Sequence, residues 1–445
     1  MTELKKGFQK KSNLAAFPFT AAQMPVLEDI DLTGYHQSAW KAYQALLFPN
    51  RSDEPWRRTD ISALETGSFS LSPMVEKSEP PSTRFLNPDL TDKDLAGQVV
   101  YSSENPICSF DETLLEKGVI FTDFHTAEVE HPILVNKLLG QIVKPDEDKF
   151  TALAAALASD GTFLYVPKDV VIEQPLHSLY WGAGNRNTYI NHLLIWLEEG
   201  AQVTFVHESA SLDDASISQV LHDGIVEIHV GRNAHLSFVE LQSWGSNVWS
   251  FTRERARVMG DGSLEWIFGA MGSRLTKNFS DIDLVEPGAK GRMSGFYFTN
   301  GEQHLDHDTQ QNHLAPNTTS DLLYKGALTG HSRSVWQGMI FVAPGAFDTD
   351  GYQANKNLIL SKHAHADSIP GLEILANDVR CTHGATVGKI DTNQLFYLQS
   401  RGIPEREAEQ LIVMGFFAAI LERIPFEGIR DRFIDVIREK LTEQP

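Results

Sequence analysis

Cys381 and His383 stand two residues apart in the segment DVRCTHGATVGKID. In an extended strand, positions i and i+2 point to the same side, so this spacing places a thiol and an imidazole on one face. Those two groups are ligands for a soft metal, and two ligands do not close a tetrahedral site, which takes four. A metal held here therefore needs further ligands from elsewhere, including from another chain. The competing reading of the same residues is a small buried thiol and a satisfied histidine in a packed strand. Cys108, the other of the two cysteines, sits in NPICSF with no histidine or cysteine near it and reads as structural.

Other groupings invite chemistry and carry less. QHLDHDTQQNH holds His304, Asp306, His307, Asp308 and His313, but on a strand His304 and His307 face opposite ways, and the spacing matches no established ligand set. Polar turns between successive coils account for the segment equally well. His363 and His365 share a face, and with no carboxylate seen beside them they read as a solvated edge. Gly384-ATVGKI is one residue short of a phosphate loop and has Ile390 where Ser or Thr should follow Lys389. GAGN at 182–185 lacks the third glycine of a dinucleotide fingerprint. No nucleotide site is expected in this chain.

The elements that would position Cys381 and His383 lie upstream. Between Thr162 and about Ile390 short β-rich runs replace helical periodicity. Gly200-AQVTFV, Asn233-AHLSFV, Gly262-SLEWIF and Gly288-AKGRMSGF each set a turn residue before an alternating strand, about 30 residues apart, the range in which solenoids are suspected. Several strands per repeat with no helix between them predict a β-helix, each coil burying its apolar face on the next; a β-sandwich is the rival. Three regions follow: 1–160, helical and mixed; 161–390, a β-helix core; 391–445, helical. In the first, His36 to Leu47 has helical spacing, as do HPILVNKLLG and DKFTALAAALA, and Trp56 anchors the charged turn PNRSDEPWRRTDIS. Phe69 to about Lys93 reads as a loop. In the last, Asp391 caps a helix that Gly402 ends, and Pro404 opens another. Ala408, Leu411, Ile412, Gly415, Phe416, Ala419 and Ile420 form one apolar stripe on that second helix. Pro425 breaks it, and Ile429, Phe433, Val436, Ile437 and Leu441 line a final helix.

Composition narrows the function classes. Of 445 residues, 42% are hydrophobic and 22% charged, enough apolar material for a sizeable core. A net charge of −21 repels phosphate backbones and anionic membranes, so neither nucleic acid nor membrane is an expected partner. Two cysteines make no disulfide framework, MTELKKGFQKK has no apolar run after its charges, and LIVMGFFAAIL is too short to span a bilayer. The cytoplasm is the expected location.

DVRCTHGATVGKID followed by QLFYLQSRGI and an apolar helix resembles the C-terminal signature of the SufB/SufD family, scaffold subunits of an iron–sulfur cluster assembly machine, in the form of its SufD branch. The resemblance continues through Lys325, Val335-Trp336-Gln337-Gly338, Asp348-Thr349-Asp350, Asn355 to Leu358 and Pro370-Gly371-Leu372-Glu373-Ile374, and through Trp56 in the N-terminal word. One departure is Asn377-Asp378, where the family usually shows two acidic residues. The resemblance implies a mainly β fold, a right-handed parallel β-helix with helical regions at both ends. It implies a SufB-like paralogue paired through the β-helix ends and the SufC ATPase docked on the C-terminal helices. It also implies a transient iron–sulfur cluster at the subunit interface, shared with the partner, with His383 and Cys381 as this chain's ligands. No cysteine lies between Cys108 and Cys381, so sulfur acceptance is expected of the partner. The sequence leaves open a reduced flavin in the complex and a homodimer of the isolated chain. Two further classes stand beside this one: an assembly subunit in which Cys381 and His383 are only structural, and a polysaccharide-cleaving β-helix using Asp281, Asp283, Asp306 and Asp308.

Overall fold

A computed structural model describes residues 14–25, 33–71, 95–101, 106–158, 160–182, 187–212, 219–424 and 427–442. The basic N-terminal run, most of the loop predicted from Phe69, most of GAGN and Pro425 lie outside them.

From Thr162 to Lys389 the chain climbs as a parallel β-solenoid of about 7 turns, two strands per turn. One sheet stacks Leu176–Gly182, Gln202–Ser211, His235–Ser243, Ser263–Ala270, Lys290–Thr299, Thr319–Leu328, Asp350–Ile359 and Arg380–Lys389. The other stacks Thr162–Val166, Thr188–Leu197, Val220–Val230, Val248–Val258, Leu275–Leu284, His304–His313, Arg333–Val342 and His365–Ile374. The period predicted from the turn residues is this climb. At one corner Asp169, Gly200, Asn233, Asp261, Gly288, Asn317, Asp348 and Asp378 all have φ between +52° and +80°. Gly, Asn and Asp are the residues that tolerate that left-handed conformation. Backbone bonds such as Asn317 N to Phe347 O (2.9 Å) and Asp348 N to Asp378 O (2.9 Å) join one turn to the next. Asp378 is thus the last rung of a turn ladder, which accounts for its side chain without charged chemistry.

Alternate residues of each strand point into the lumen. Leu176, Phe205, Phe238, Trp266, Met293 and Leu322 follow one another in register along one sheet, with ring centroids 5.8 Å apart for Phe205 and Phe238 and 5.7 Å for Phe238 and Trp266. All are essentially buried, and each such side chain contributes about 1.5–3 kcal/mol through apolar burial. The next two residues in that row are Gln353 and His383, so an apolar ladder turns polar where the solenoid ends.

Helical regions cover the outer faces. Lys149–Leu157, capped by Asp148 accepting from Thr151 N at 2.9 Å, is buried along its whole length against Leu221, Ile225, Phe251 and the ring of Trp56. The first helix, Thr33–Ala45, sets Trp40 and Tyr43 into the same cluster. On the opposite sheet, Glu405–Leu421 and Glu427–Thr442 bury Val413, Phe417, Ile420, Phe433, Ile437 and Leu441 on Val239, Ile267, Phe296 and Phe298. Here the predicted stripe splits. Ala408 and Ile420 face inward, but Leu411 is 53% exposed and Gly415 and Ala419 are also exposed, because the sheet accepts the neighbouring row of Val413, Phe417 and Leu421. Pro404 is the cap of its helix rather than its first residue. The side chain of Ile429 lies outside the described residues.

Candidate functional site

The site stands on Arg380–Lys389, the last strand of the solenoid. Among the described residues it pairs only with Asp350–Ile359, placing Cys381 beside Gly351 and His383 beside Gln353. The spacing argument holds: both side chains fall on the lumen face. Cys381 is half-buried, packed toward Ile340, Val342 and Ala346. Burial pushes its thiol pKa up. Gly351 makes the room, since a Cβ there would lie 3.3 Å from Cys381 Sγ and 3.3 Å from His313 Nε2. His383 is exposed, because no further turn lies over it. Its neighbour Gln353, 0% exposed, donates from Nε2 to Gly371 O at 2.8 Å, tying the two sheets across the lumen directly beneath the open end. Among the described residues no group of three or more His, Cys, Asp or Glu is placed to hold a metal ion. Cys381 and His383 therefore make at most part of a site within one chain.

The rim around them is apolar. Leu372 is 37%, Ile374 39% and Val387 48% exposed, all on the lumen side of the last turn, where the preceding turn buries their register partners Ile340, Val342 and Asn357. The strand His365–Ile374 likewise has a single neighbour, Arg333–Val342. Both sheets end in unpaired backbone edges, which other proteins protect or use for pairing.

The other groupings resolve into structure. QHLDHDTQQNH is a full strand, not a set of turns, and its histidines diverge as expected. His307 and His313 face the lumen, and His313 is held by Thr318 and Ser320 at 2.8 Å each. His304 points outward and donates to Thr59 Oγ1 at 2.8 Å, and Thr59 in turn donates to Asp306. The buried Lys277 ammonium pairs with Asp306 at 2.9 Å and Asp308 at 3.0 Å and donates to Pro55 O at 2.7 Å. That network is what the Trp56 word does: Pro55, Trp56 and Thr59 clamp the N-terminal region to the second sheet. Asp281 pairs with Arg255 at 2.8 Å, and Asp283 accepts from Asn312 at 2.7 Å. All four carboxylates proposed for sugar cleavage are thus engaged with protein groups. His365 does have a carboxylate nearby, Asp367 at 3.3 Å, contrary to the sequence reading, and His363 instead stacks on His331 from the preceding turn, centroids 4.5 Å apart. Gly384 to Lys389 is strand, not the loop that a phosphate site requires. Cys108 is exposed, its Sγ 4.0 Å from Asp123.

A second surface lies on the C-terminal helices. Thr392–Ser400, capped by Asp391 accepting from Asn393 N at 2.8 Å, presents Phe396 at 71% and Tyr397 at 56% exposure, and Leu411 on the next helix is 53% exposed. The sequence reading passed over these two aromatics, although QLFYLQ places them at consecutive positions of a helix that can bury only one face. The helices themselves are fixed to the solenoid: Lys325 Nζ donates to Phe416 O at 2.6 Å, Arg423 to Ser294 at 2.5 Å, and Arg432 pairs with Glu208. Among the described residues no helix is long and apolar enough to cross a membrane.

Comparison with known proteins agrees with this architecture. Residues 180–416 match the family model described as SUF system FeS cluster assembly, SufBD core domain, and residues 30–177 match the SufBD protein N-terminal region. The chain is 32% identical to the iron-sulfur cluster assembly protein SufD of Bacillus subtilis, over 86% of this chain and 84% of that protein. It is 33% identical to an iron-sulfur cluster assembly SufBD family protein of Staphylococcus epidermidis and 32% to one of Staphylococcus aureus, each over 76% of this chain and 73% of the relative. The solenoid core, its helical flanks and the Cys-Thr-His strand are therefore those of a member of the SufB/SufD family of iron–sulfur cluster assembly proteins, to which this chain belongs.

Proposed function

We propose that this chain is a SufD-like scaffold subunit of a cytoplasmic Suf complex, in which its open solenoid end meets a SufB-like paralogue and its C-terminal helices receive the SufC ATPase. A nascent iron–sulfur cluster is the cargo of that assembly. In this reading His383, with Cys381 beside it, supplies ligands from one side of the interface, and the paralogue supplies the rest. The observation that carries the proposal is a thiol and an imidazole sharing a face on a strand that has, among the described residues, one neighbour. An imidazole is a weaker ligand for such clusters than thiolate, which suits a cluster that must leave. The exposed Phe396, Tyr397 and Leu411 support the ATPase contact, because aromatic side chains standing on a helix face are the anchors that helix-docking partners bury. ATP-driven movement of SufC would shift the two scaffold subunits only through contacts that differ between its states.

The test is His383→Ala in the complex reconstituted anaerobically with a SufB-like partner and SufC. Complex formation and folding stay intact while the cluster signal in optical and Mössbauer spectra falls. A normal cluster yield sinks the ligand role and leaves Cys381 and His383 as parts of a packed strand.

A further inference from the structure

The lumen of the last turns contains polar atoms that the protein itself does not pair. His307 is 0% exposed, and neither ring nitrogen has a hydrogen-bond partner; its ring lies 5.0 Å from that of Phe268 and 5.5 Å from that of Tyr297. Trp336, next to His307 in register and also 0% exposed, has an unpartnered indole N–H. Gln311 Oε1, Gln353 Oε1 and, beside Trp336 on the last strand of its sheet, Ser368 Oγ are unpartnered too. All five residues are at lumen-facing positions. Two of them converge: a Cβ on Gly338 would fall 2.2 Å from the Trp336 ring and 2.5 Å from Gln353 Oε1.

One buried group left unpaired costs about 1–3 kcal/mol. Six such atoms in one compartment amount to a cost on the order of a domain's whole net stability, about 5–15 kcal/mol, unless guests share it. The chemistry of the wall selects the guest. From Gly291 to Val387 no lumen-facing position carries Asp, Glu, Lys or Arg, so an ion would have no counter-charge. Burial also lowers the pKa of His307 to about 3, keeping it neutral. The unpartnered set contains both donors (the Trp336 indole, the Ser368 hydroxyl, one His307 nitrogen) and acceptors (the two glutamine oxygens, the other His307 nitrogen). The guest must be small and neutral, and must donate as well as accept.

We infer that the terminal lumen is an internal hydration site, in which ordered water molecules bridge His307, Trp336, Gln353 and Ser368 and reach the open end beside His383. Water is the ligand because each molecule can satisfy two to four such groups. A partner covering the open end would meet a wet inner face, not a dry core. The inference concerns the isolated chain and does not depend on the cluster reading above.

Trp266 provides an internal control. It is also a 0% exposed lumen tryptophan, but its Nε1 donates to Glu240 at 3.3 Å. In the full-length chain with 15N-labelled indoles, the Trp336 signal, assigned by its loss in Trp336→Phe, shows a direct cross-peak to water and exchanges with solvent faster than that of Trp266. Absence of the cross-peak, with exchange as slow as for Trp266, overturns the proposal. His307→Leu reads the same question as a sign. His307 has no protein hydrogen bond to lose, so a hydrated lumen gives a lower unfolding midpoint in the variant. A dry lumen sheds two unpaired nitrogens and gives a higher one, which refutes the hydration site.

Discussion

The two ends of the solenoid are built from the same repeat and finished differently. At the start, Thr162–Val166 is covered by the antiparallel strand Ile120–Asp123, and Leu176–Gly182 is followed outward by Gly97–Tyr101 and then by Ile107–Phe110, which runs antiparallel and closes the stack. The neighbouring outer face carries a buried helix and a clamp of aromatic rings, with Phe150 and Phe251 stacked 3.9 Å apart. At the finish the lumen-facing Leu372, Ile374, His383 and Val387 are exposed, whereas Tyr101, Leu114 and Phe121 are buried in the core at the start. One end of the lumen is thus capped by chain and the other is not. The capped end is packed, and the open end carries the Cys381–His383 pair.

That division can be broken experimentally. The largest effect belongs to the clamped flank. Lys277→Ala strands Asp306, 0% exposed, without its cation and lowers the unfolding free energy by about 3–5 kcal/mol in urea titration. A loss below about 1 kcal/mol would mean the N-terminal clamp is not what stabilises this flank. A smaller effect sits in the lumen midway between the ends. Glu240 and Glu254 are buried against each other, and desolvation, then their mutual repulsion at Glu240, raises both pKa values. With folded values above the ordinary carboxyl range, the stability these groups contribute is complete below the unfolded pKa and is lost as pH rises through the folded one. Glu240→Gln removes that dependence, so its melting temperature relative to the native protein climbs between pH 5 and pH 8. A constant difference across that range would show that the pair does not hold a proton. The smallest effect on stability is at the exposed helix. Phe396→Ser, at a side chain 71% exposed, changes folding by no more than about 0.5 kcal/mol. It nevertheless abolishes SufC binding in a pull-down with purified components. Unchanged binding would place the ATPase contact elsewhere. Point substitution sharpens this comparison better than removal of the helices, which would uncover Val239, Ile267, Phe296 and Phe298 on the sheet.

The repeat was legible because its signal is local. Gly, Asn and Asp are the residues favoured at positive φ, and their recurrence at one corner follows the climb of the solenoid. Cys381 and His383 were legible for the same reason, since two residues on one strand need no tertiary information to share a face. The clamp was not. Thr59 and Asp306 are 247 residues apart, and only docking of the N-terminal region on the second sheet brings them together. The stripe on Glu405–Leu421 failed in a related way: apolar residues on that helix extend past one face, and the sheet it packs on, not the helix, chose which row to bury.

By itself the sequence determined the coiling period, the helical flanks, the paired ligand types and the family signature, all of which rest on contacts or spacings within a few residues. Only the tertiary structure decided that Cys381 and His383 sit on an uncovered edge, which groups pack around each histidine of QHLDHDTQQNH, and that polar side chains from four strands gather in one lumen. Each of those is a question of which turn lies over which. In a stacked repeat that depends on where the stack begins and stops, which no single turn encodes.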